Sequence, residues 1–553
     1  MPNWRKPIAG LKQVILKALA MFFAVGVTIT LPQHHAFAND ATACSMIRFA
    51  DFSTLDGGNA ATSITSTALL KNAPVSEAES ARTYRFSLMM GAPIAEGISE
   101  LPEHCLIEGY VTPTIRFQFR LPVKDNWNGN YLMSSCDGFC GSIQTERTMA
   151  GIARNYATMT HDGGHTNMGF DGKWARNNLQ GRIDFGHRAN HVLAIAAKAI
   201  IKAYYGAPPQ YSIIAGCSKG GQAGVMAAQR YPQDYDGVIA RGPTVNYTKV
   251  NLISCMDNAK DALDENDQPI FDISFADFIK KAVMAACDET DGLKDGLISD
   301  PRQCHFDPAT LLCGKTEGDK CLSAQQVTAL KGLYAPSVDS TGKELYGALP
   351  YGSEEEWKGW VIPQQAGVKP YHYYAATEYM KYIAYPNALP LDANWRDFEY
   401  ETEKNKLAEM STVFDADNPD LREFRDRGGK MIVLHGWSDG AIPAYASIKW
   451  YEDVIRFMGG REKTAEFARM FLLPGVIHCG MEGPGPNTMD AITMLETWMA
   501  GGPAPESLLT SKIENGVTVR TRPVYPYPYG VKYKGKGDIN KAENFKRIDP
   551  VGR

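Results

Sequence analysis

Tyr211-Ser212-Ile213-Ile214-Ala215-Gly216-Cys217-Ser218-Lys219-Gly220-Gly221 decides the fold. Residues 211–215 are a β-type run of one buried strand's length, and the small residues after the glycine-flanked Ser218 suit a helix reaching about Arg230. Upstream, residues 130–134 (NYLMS) read as a strand entering the loop 136–141 (CDGFCG). Val192, Ile195, Ala196, Ala199 and Ile200 recur at helical spacing, with Gly206 as the stop. Downstream, residues 237–240, 429–435 and 468–473 are further strands, the last two running into polar, Gly-rich loops. Such alternation predicts an α/β sheet with helices on both faces. It lapses between residues 244 and 427, a stretch with its own cysteines and aromatics. That gap predicts a large inserted lid domain, leaving 39–243 and 428–553 as the sheet-bearing domain. From Thr521 (TRPVYPYPYG) the chain reads as a Pro- and Tyr-rich tail laid along the surface.

Gly216-x-Ser218-x-Gly220 matches the nucleophile elbow, in which flanking glycines let the chain turn sharply enough to present a hydroxyl. With 51 glycines in 553 residues the pattern alone is weak; its place between strand and helix gives it weight. A serine needs a base, and the base a group that fixes its tautomer. Asp439, in HGWSDG after one strand, and His478, in PGVIHC after the next, complete the order Ser, Asp, His of the α/β-hydrolase fold. His435 reads as a packed, hydrogen-bonded histidine, while His161 and His165 either shape the site or close a turn. Acyl transfer also needs donors for the oxyanion. The backbone N–H of Lys219 is one and that of Gly138 the other, with Asp137 next in line; the Lys219 side chain is expected in solvent.

Composition bounds the rest. The chain is 44% hydrophobic and 22% charged with a formal net charge of −5, ordinary globular values that do not suit nucleic-acid binding. Arg5, Lys6, Lys12 and Lys17, an apolar run over 18–31 and Ala36-Phe37-Ala38 read as a signal peptide, residues 1–38. Cleavage removes four basic residues and no acidic one, so the net charge becomes −9. No later stretch approaches the ~18 apolar residues of a spanning helix, so no membrane contact is expected after cleavage. Eleven cysteines in an exported chain are expected in disulfides with at least one left over, and Cys255 is the candidate free thiol. Cys44 and Cys105 come early, Cys136 and Cys140 are close together, and Cys287, Cys304, Cys313 and Cys321 cluster. Cys217 precedes Ser218 and Cys479 follows His478, so a formed triad makes these two sulfurs neighbours able to bond. Asp288, Asp291 and Asp295, among glycines, supply hard oxygens suited to Ca2+, although Asp-Gly repeats also mark plain turns.

These motifs resemble the tannase and feruloyl esterase family. The likeness is carried by Gly216-Cys217-Ser218-x-Gly220-Gly221, Ala228-Gln229-Arg230-Tyr231-Pro232 with Asp236-Gly237, Gly428-Gly429-Lys430 leading to His435-Gly436-Trp437-x-Asp439, and Pro474-Gly475-x-x-His478-Cys479. It runs from about Cys44 to Phe545. The resemblance implies a secreted or periplasmic serine esterase acting on small-molecule esters of aromatic acids, of hydroxycinnamic, feruloyl or gallic type. It also implies two local disulfides within 287–321 and a structural calcium held by Asp288, Asp291, Asp295 and the carbonyls of Leu293 and Leu297. A tannin acyl hydrolase or a phthalate or terephthalate half-ester hydrolase of the same family is the alternative. A secreted serine peptidase or a non-catalytic, calcium-stabilised binding module stands further off. Tyr525 and Arg547 occupy the places of a C-terminal disulfide found in the family, so the tail must be held otherwise. Trp357, Trp360, Tyr373, Tyr374, Tyr379, Tyr382, Trp395 and Phe398 are the aromatics of the insert, of which two or three are expected at the substrate.

Overall fold

Ser212–Cys217 is buried at every position, as a strand covered on both faces must be. It lies inside a nine-stranded sheet in the computed structural model, which describes residues 39–314, 320–480 and 482–550. The expected signal peptide lies outside the described residues, and the account that follows concerns the unit beginning at Asp40.

The sheet strands are β1 (Thr62–Leu70), β2 (His104–Val111), β3 (Ile115–Pro122), β4 (Tyr131–Ser134), β5 (Ala157–His161), β6 (Ser212–Cys217), β7 (Gly237–Arg241), β8 (Lys430–Gly436) and β9 (Ala468–Leu473). Their spatial order is β1-β2-β3-β5-β4-β6-β7-β8-β9. The first three pair antiparallel, β3 meets β5 antiparallel, and every pairing from β5 to β9 is parallel. Parallel pairing points the carboxyl ends of β4, β6, β7, β8 and β9 the same way, and in open α/β sheets ligands bind outside those ends. Helices Ala189–Tyr205 and Lys219–Arg230 supply apolar cover for the strands. Gly206 ends the first of them with φ 85°, the left-handed turn foreseen for it.

Between Arg241 and Lys430 the main sheet gains no strand among the described residues. One apolar cluster there is self-contained, built around Phe271, Ile279, Leu330, Leu333 and Trp357. A second is shared: Tyr247, Tyr379, Trp395 and Phe414 pack with Phe139, Ala175 and Phe185, which come from loops after β4 and β5. The insert therefore rests on a platform made by the sheet's own loops.

The tail lies along the surface, as expected, but it is ordered as two hairpins, β10 (Leu508–Glu514) with β11 (Val517–Val524) and β12 (Gly530–Tyr533) with β13 (Phe545–Ile548). The Tyr527 N–H donates to Met470 O at 2.7 Å, so the segment between the hairpins covers the open edge of β9. Arg522 replaces a covalent link in holding the tail: it pairs with Asp295 of the insert, both side chains buried, and its guanidinium lies 3.9 Å from the Phe545 ring centre. Arg547 stacks over Tyr529 at 4.5 Å.

Candidate active site

Ser218 follows β6 directly and has φ 58° and ψ −121°, a backbone state that L-residues rarely adopt and that lifts its side chain out of both strand and helix. The glycines make this possible by close approach. A Cβ on Gly216 would lie 2.7 Å from the Gly220 carbonyl carbon, and one on Gly220 would lie 3.0 Å from Ser135 O. The Ser218 N–H donates to Arg241 O at 2.9 Å, tying the turn to the end of β7.

Asp439 and His478 stand beyond β8 and β9, and the His478 Nδ1–H donates to Asp439 Oδ2 at 2.8 Å. That bond leaves Nε2 as the acceptor nitrogen of the neutral ring. The N–H groups of Ala441 and Ile442 donate to Asp439 Oδ1 at 3.1 and 2.7 Å. Burial works to raise the Asp439 carboxyl, but the charge of His478 and the bonds from both histidines hold it well below the usual range. Burial likewise works against a charged His478, yet Asp439, then Glu356 and Asp137, leave its pKa raised. His435 is the packed histidine expected: Nε2 lies 2.8 Å from Ile442 O and 3.2 Å from Asp439 Oδ2, and Nδ1 lies 3.1 Å from Ser447 Oγ. Cys217 and Cys479 are bonded, with Cα atoms 5.5 Å apart, so one covalent link joins the neighbours of Ser218 and His478.

Gly138, at φ 57°, sits in a five-residue loop closed by the Cys136–Cys140 disulfide. Fully buried Arg147 braces that loop, donating to Ser135 O at 3.0 Å and to Asp137 Oδ2 at 2.5 Å. The two undecided histidines serve the same loop. His161 Nδ1 accepts the Gly163 N–H at 3.0 Å and Nε2 lies 3.0 Å from Asn190 Oδ1, the pattern of a neutral ring, and burial lowers its pKa to about 4. The His165 Nε2–H donates to Phe139 O at 2.7 Å, and its ring stacks on Trp174 at 3.6 Å.

Lys219 departs from expectation. Its side chain is 2% exposed rather than solvated, with Nζ donating to Gln222 Oε1 at 2.7 Å and lying 5.0 Å from the Phe185 ring centre. Burial lowers its pKa to about 7. The cause is the loop after β5, which brings Phe185 and Gly186 over the start of the elbow helix.

Ser218, His478 and Gly138 line one cavity of about 740 Å³. Of the eight aromatics named in the insert, Trp360 and Tyr374 reach it, while Trp357, Tyr379, Tyr382, Trp395 and Phe398 are buried in the clusters above and Tyr373, partly buried, packs against the second. Phe139, Phe170, Tyr247 and Tyr371 also line it; their approach depends on how loops fold over one another, which no local pattern signals. Glu356 was missed as well. Its carboxylate accepts the Gly440 N–H at 2.8 Å and the His478 N–H at 3.1 Å. In the sequence it sits in Glu354-Glu355-Glu356, which reads as a solvated charge run.

The other cysteines pair as Cys44–Cys105, Cys287–Cys304 and Cys313–Cys321, leaving Cys255 free and buried. Asp288, Asp291 and Asp295 share one loop, with Gly292 and Gly296 at φ 85° and 80°. Asp288 accepts N–H bonds from Asp295 and Gly296, Asp291 from Leu293, and Asp295 from Leu297. Burial raises the Asp291 carboxyl, and repulsion from Asp295 and Asp288 adds to it. Asp295 also carries the Arg522 ion pair.

Fold and site together define a class, the α/β-hydrolase fold with serine, aspartate and histidine at the carboxyl ends of its strands. The chain belongs to the tannase and feruloyl esterase family, whose model matches residues 100–548, and is a carboxylic ester hydrolase. It is 31% identical over 525 residues to mono(2-hydroxyethyl) terephthalate hydrolase of Piscinibacter sakaiensis, covering 82% of this chain and 86% of that one. It is 30% identical over 443 residues to feruloyl esterase B of Aspergillus niger, covering 76% and 81%. The crystal structure of feruloyl esterase B from Aspergillus oryzae has the same fold, with TM-score 0.76 and 22% identity over 92% of this chain and all of that one.

Proposed function

We propose that this enzyme hydrolyses esters of aromatic acids through an acyl-enzyme on Ser218. The observation that carries the reading is an elbow serine opening into the same cavity as a histidine whose Nδ1–H is held by a buried aspartate. His478 Nε2 takes the Ser218 proton as Oγ bonds to the ester carbonyl carbon, and the resulting oxyanion is met by the N–H groups of Lys219 and Gly138. Collapse breaks the ester C–O bond, and His478 returns the proton to the departing alcohol. Water then attacks the acyl-serine, giving its proton to His478, and the acid leaves as Ser218 is reprotonated. Asp439 holds the tautomer and offsets the imidazolium charge.

The aromatic walls, Phe139, Phe170, Tyr247, Trp360, Tyr371 and Tyr374, support an aromatic acid as the acyl group. Relatives named as a feruloyl esterase and a mono(2-hydroxyethyl) terephthalate hydrolase, and the family's tannase name, support trying feruloyl esters, terephthalate half-esters and, as a tannase-type substrate, galloyl esters. We assign residues 244–427 as the lid, with Ca2+ on Asp288, Asp291, Asp295 and the Leu293 and Leu297 carbonyls as its structural ion. Five disulfides, and no helix among the described residues long and apolar enough to cross a membrane, support an oxidising, secreted or periplasmic setting. The test is a panel of methyl ferulate, methyl gallate and a terephthalate half-ester beside their amides. Turnover of at least one aromatic ester, far above its amide and above aliphatic esters of equal length, is expected. Equal turnover of aliphatic esters or of amides contradicts the reading.

A further inference from the structure

The insert does more than roof the cavity, because one of its carboxylates is bonded to both loops that carry the acid and base. Glu356 is 7% exposed. Its Oε2 accepts the N–H of Gly440, the residue after Asp439, at 2.8 Å, and both oxygens lie 3.1 Å from the N of His478 itself. Those two backbone donors sit on separate strands' loops, which are joined upstream by the Ser438 N–H to Val476 O at 3.1 Å, and Glu356 adds a second bridge at the catalytic residues themselves. Gly440 is matched to this approach: a Cβ there would lie 3.2 Å from Ser353 O and 3.2 Å from Trp357 Cδ1. The same face of the insert makes two more contacts, His372 Nε2 to Ala441 O at 3.1 Å and the Trp360 ring edge-on to the His478 ring at 5.8 Å.

We infer that Glu356 is a positioning residue for the hydrolysis: a carboxyl group from the insert that sets the spacing of the Asp439 and His478 loops through the backbone N–H groups of Gly440 and His478. The inference rests on His478 being the base. Burial, then repulsion from Asp439, pushes the Glu356 carboxyl well above its ordinary range, while His478 and the two N–H groups pull the other way. Other groups face the pair. Asp439 and His435 come from the β8 loop, Asp137 from the β4 loop and His372 from the insert, the last kept neutral by burial, which lowers its pKa to about 4. Arg241 lies under Gly480, donating to the Leu88 and Asn487 carbonyls. Glu354 points away, accepting from Tyr334 and Gly352.

The test uses full-length Glu356→Ala and Glu356→Gln with complete pH profiles. In Glu356→Ala the bridge is gone, so kcat should fall about tenfold or more while KM stays within about twofold, since a small error at the reacting atoms costs rate before binding. Glu356→Gln keeps an oxygen for the two N–H groups and should restore most of kcat. Burial already holds the Glu356 carboxyl well above its ordinary range, so Glu356→Gln should also keep the parent's acid limb of kcat/KM. If Glu356→Ala does not fold, Glu356→Asp, one methylene too short to reach both N–H groups, carries the test through the same fall in kcat at constant KM. A Glu356→Ala with parental kcat, or a Glu356→Gln that restores none of the lost rate, overturns the inference. Fluorophosphonate labelling keeps the two readings apart: Ser218 labelled in every variant with parental kcat removes the role of Glu356 only, whereas a parent enzyme unlabelled at Ser218 removes the serine mechanism beneath it.

Discussion

Ser218, Asp439 and His478 each stand within five residues of a strand end, whereas the insert's groups at the site, Glu356, Trp360, Tyr371 and His372, stand on short turns and helix starts. In the first region position follows from strand register, since parallel neighbours bring their carboxyl ends level, as Gly436 and Leu473 are in β8 and β9. In the second it follows from contacts between residues far apart in sequence, 84 positions for Glu356 to Gly440 and 122 for Glu356 to His478. One wall of the site is thus set by local chain geometry and the other by packing. Perturbing the first should destroy chemistry without loosening the fold, and perturbing the second should loosen the insert first.

The largest effect expected is on the sheet side. Ser218→Ala should lower kcat by roughly 10⁴-fold or more, as removal of one member of a unit does, with an unchanged melting temperature. A variant that keeps more than a hundredth of the rate breaks the comparison at its root. Next comes the link between the two catalytic loops. Cys217→Ala with Cys479→Ala removes the bond beside both residues, and a serine–histidine misplacement near 1 Å costs about 100-fold. Steady-state kinetics on folded double variant should show a loss of that order; full activity reduces the disulfide to a stability element.

On the insert side, chelation should leave the acidic residues of the 288–297 loop repelling one another, so proteolysis within 244–427 should precede loss of the sheet. Asp291→Ala should lose that response, and an unaltered response sets the calcium assignment aside. The smallest effect concerns Lys219→Met, which keeps the backbone N–H and should leave kcat within about threefold. Its pH dependence follows from the sign of the shift. The folded-state pKa of about 7 lies below the ordinary 10.5, so the unfolded chain binds the proton more tightly. The burden on folding is therefore full below pH 7 and is relieved as pH rises towards 10.5. The melting temperature of the parent, relative to Lys219→Met, should rise between pH 7 and 10; a flat difference contradicts the lowered pKa of this buried amine.

Legibility in the sequence follows the same division. The strands β6 to β9, the elbow and the Ser, Asp, His order are local patterns: an apolar run, then glycines, then one polar residue. Cys217 and Cys479 could be paired because they flank residues already placed together. Lys219 was misjudged because Phe185 and Gly186, which bury it, arrive from a loop more than thirty positions earlier. Glu356 hid among three consecutive glutamates, although Glu354 and Glu356 are buried and only Glu355 leans to solvent. The tail's place along the surface was legible, but its prolines break periodicity and hid both the hairpins and the Tyr527 bond that closes the edge of β9.

The claim at the centre of this account is that Ser218 is the one acylated residue. Incubating the intact enzyme with a fluorophosphonate and mapping the peptides by mass should give one adduct per chain, on the peptide bearing Ser218, with ester hydrolysis lost in proportion. An adduct on a different serine, or full activity with Ser218 fully modified, contradicts it.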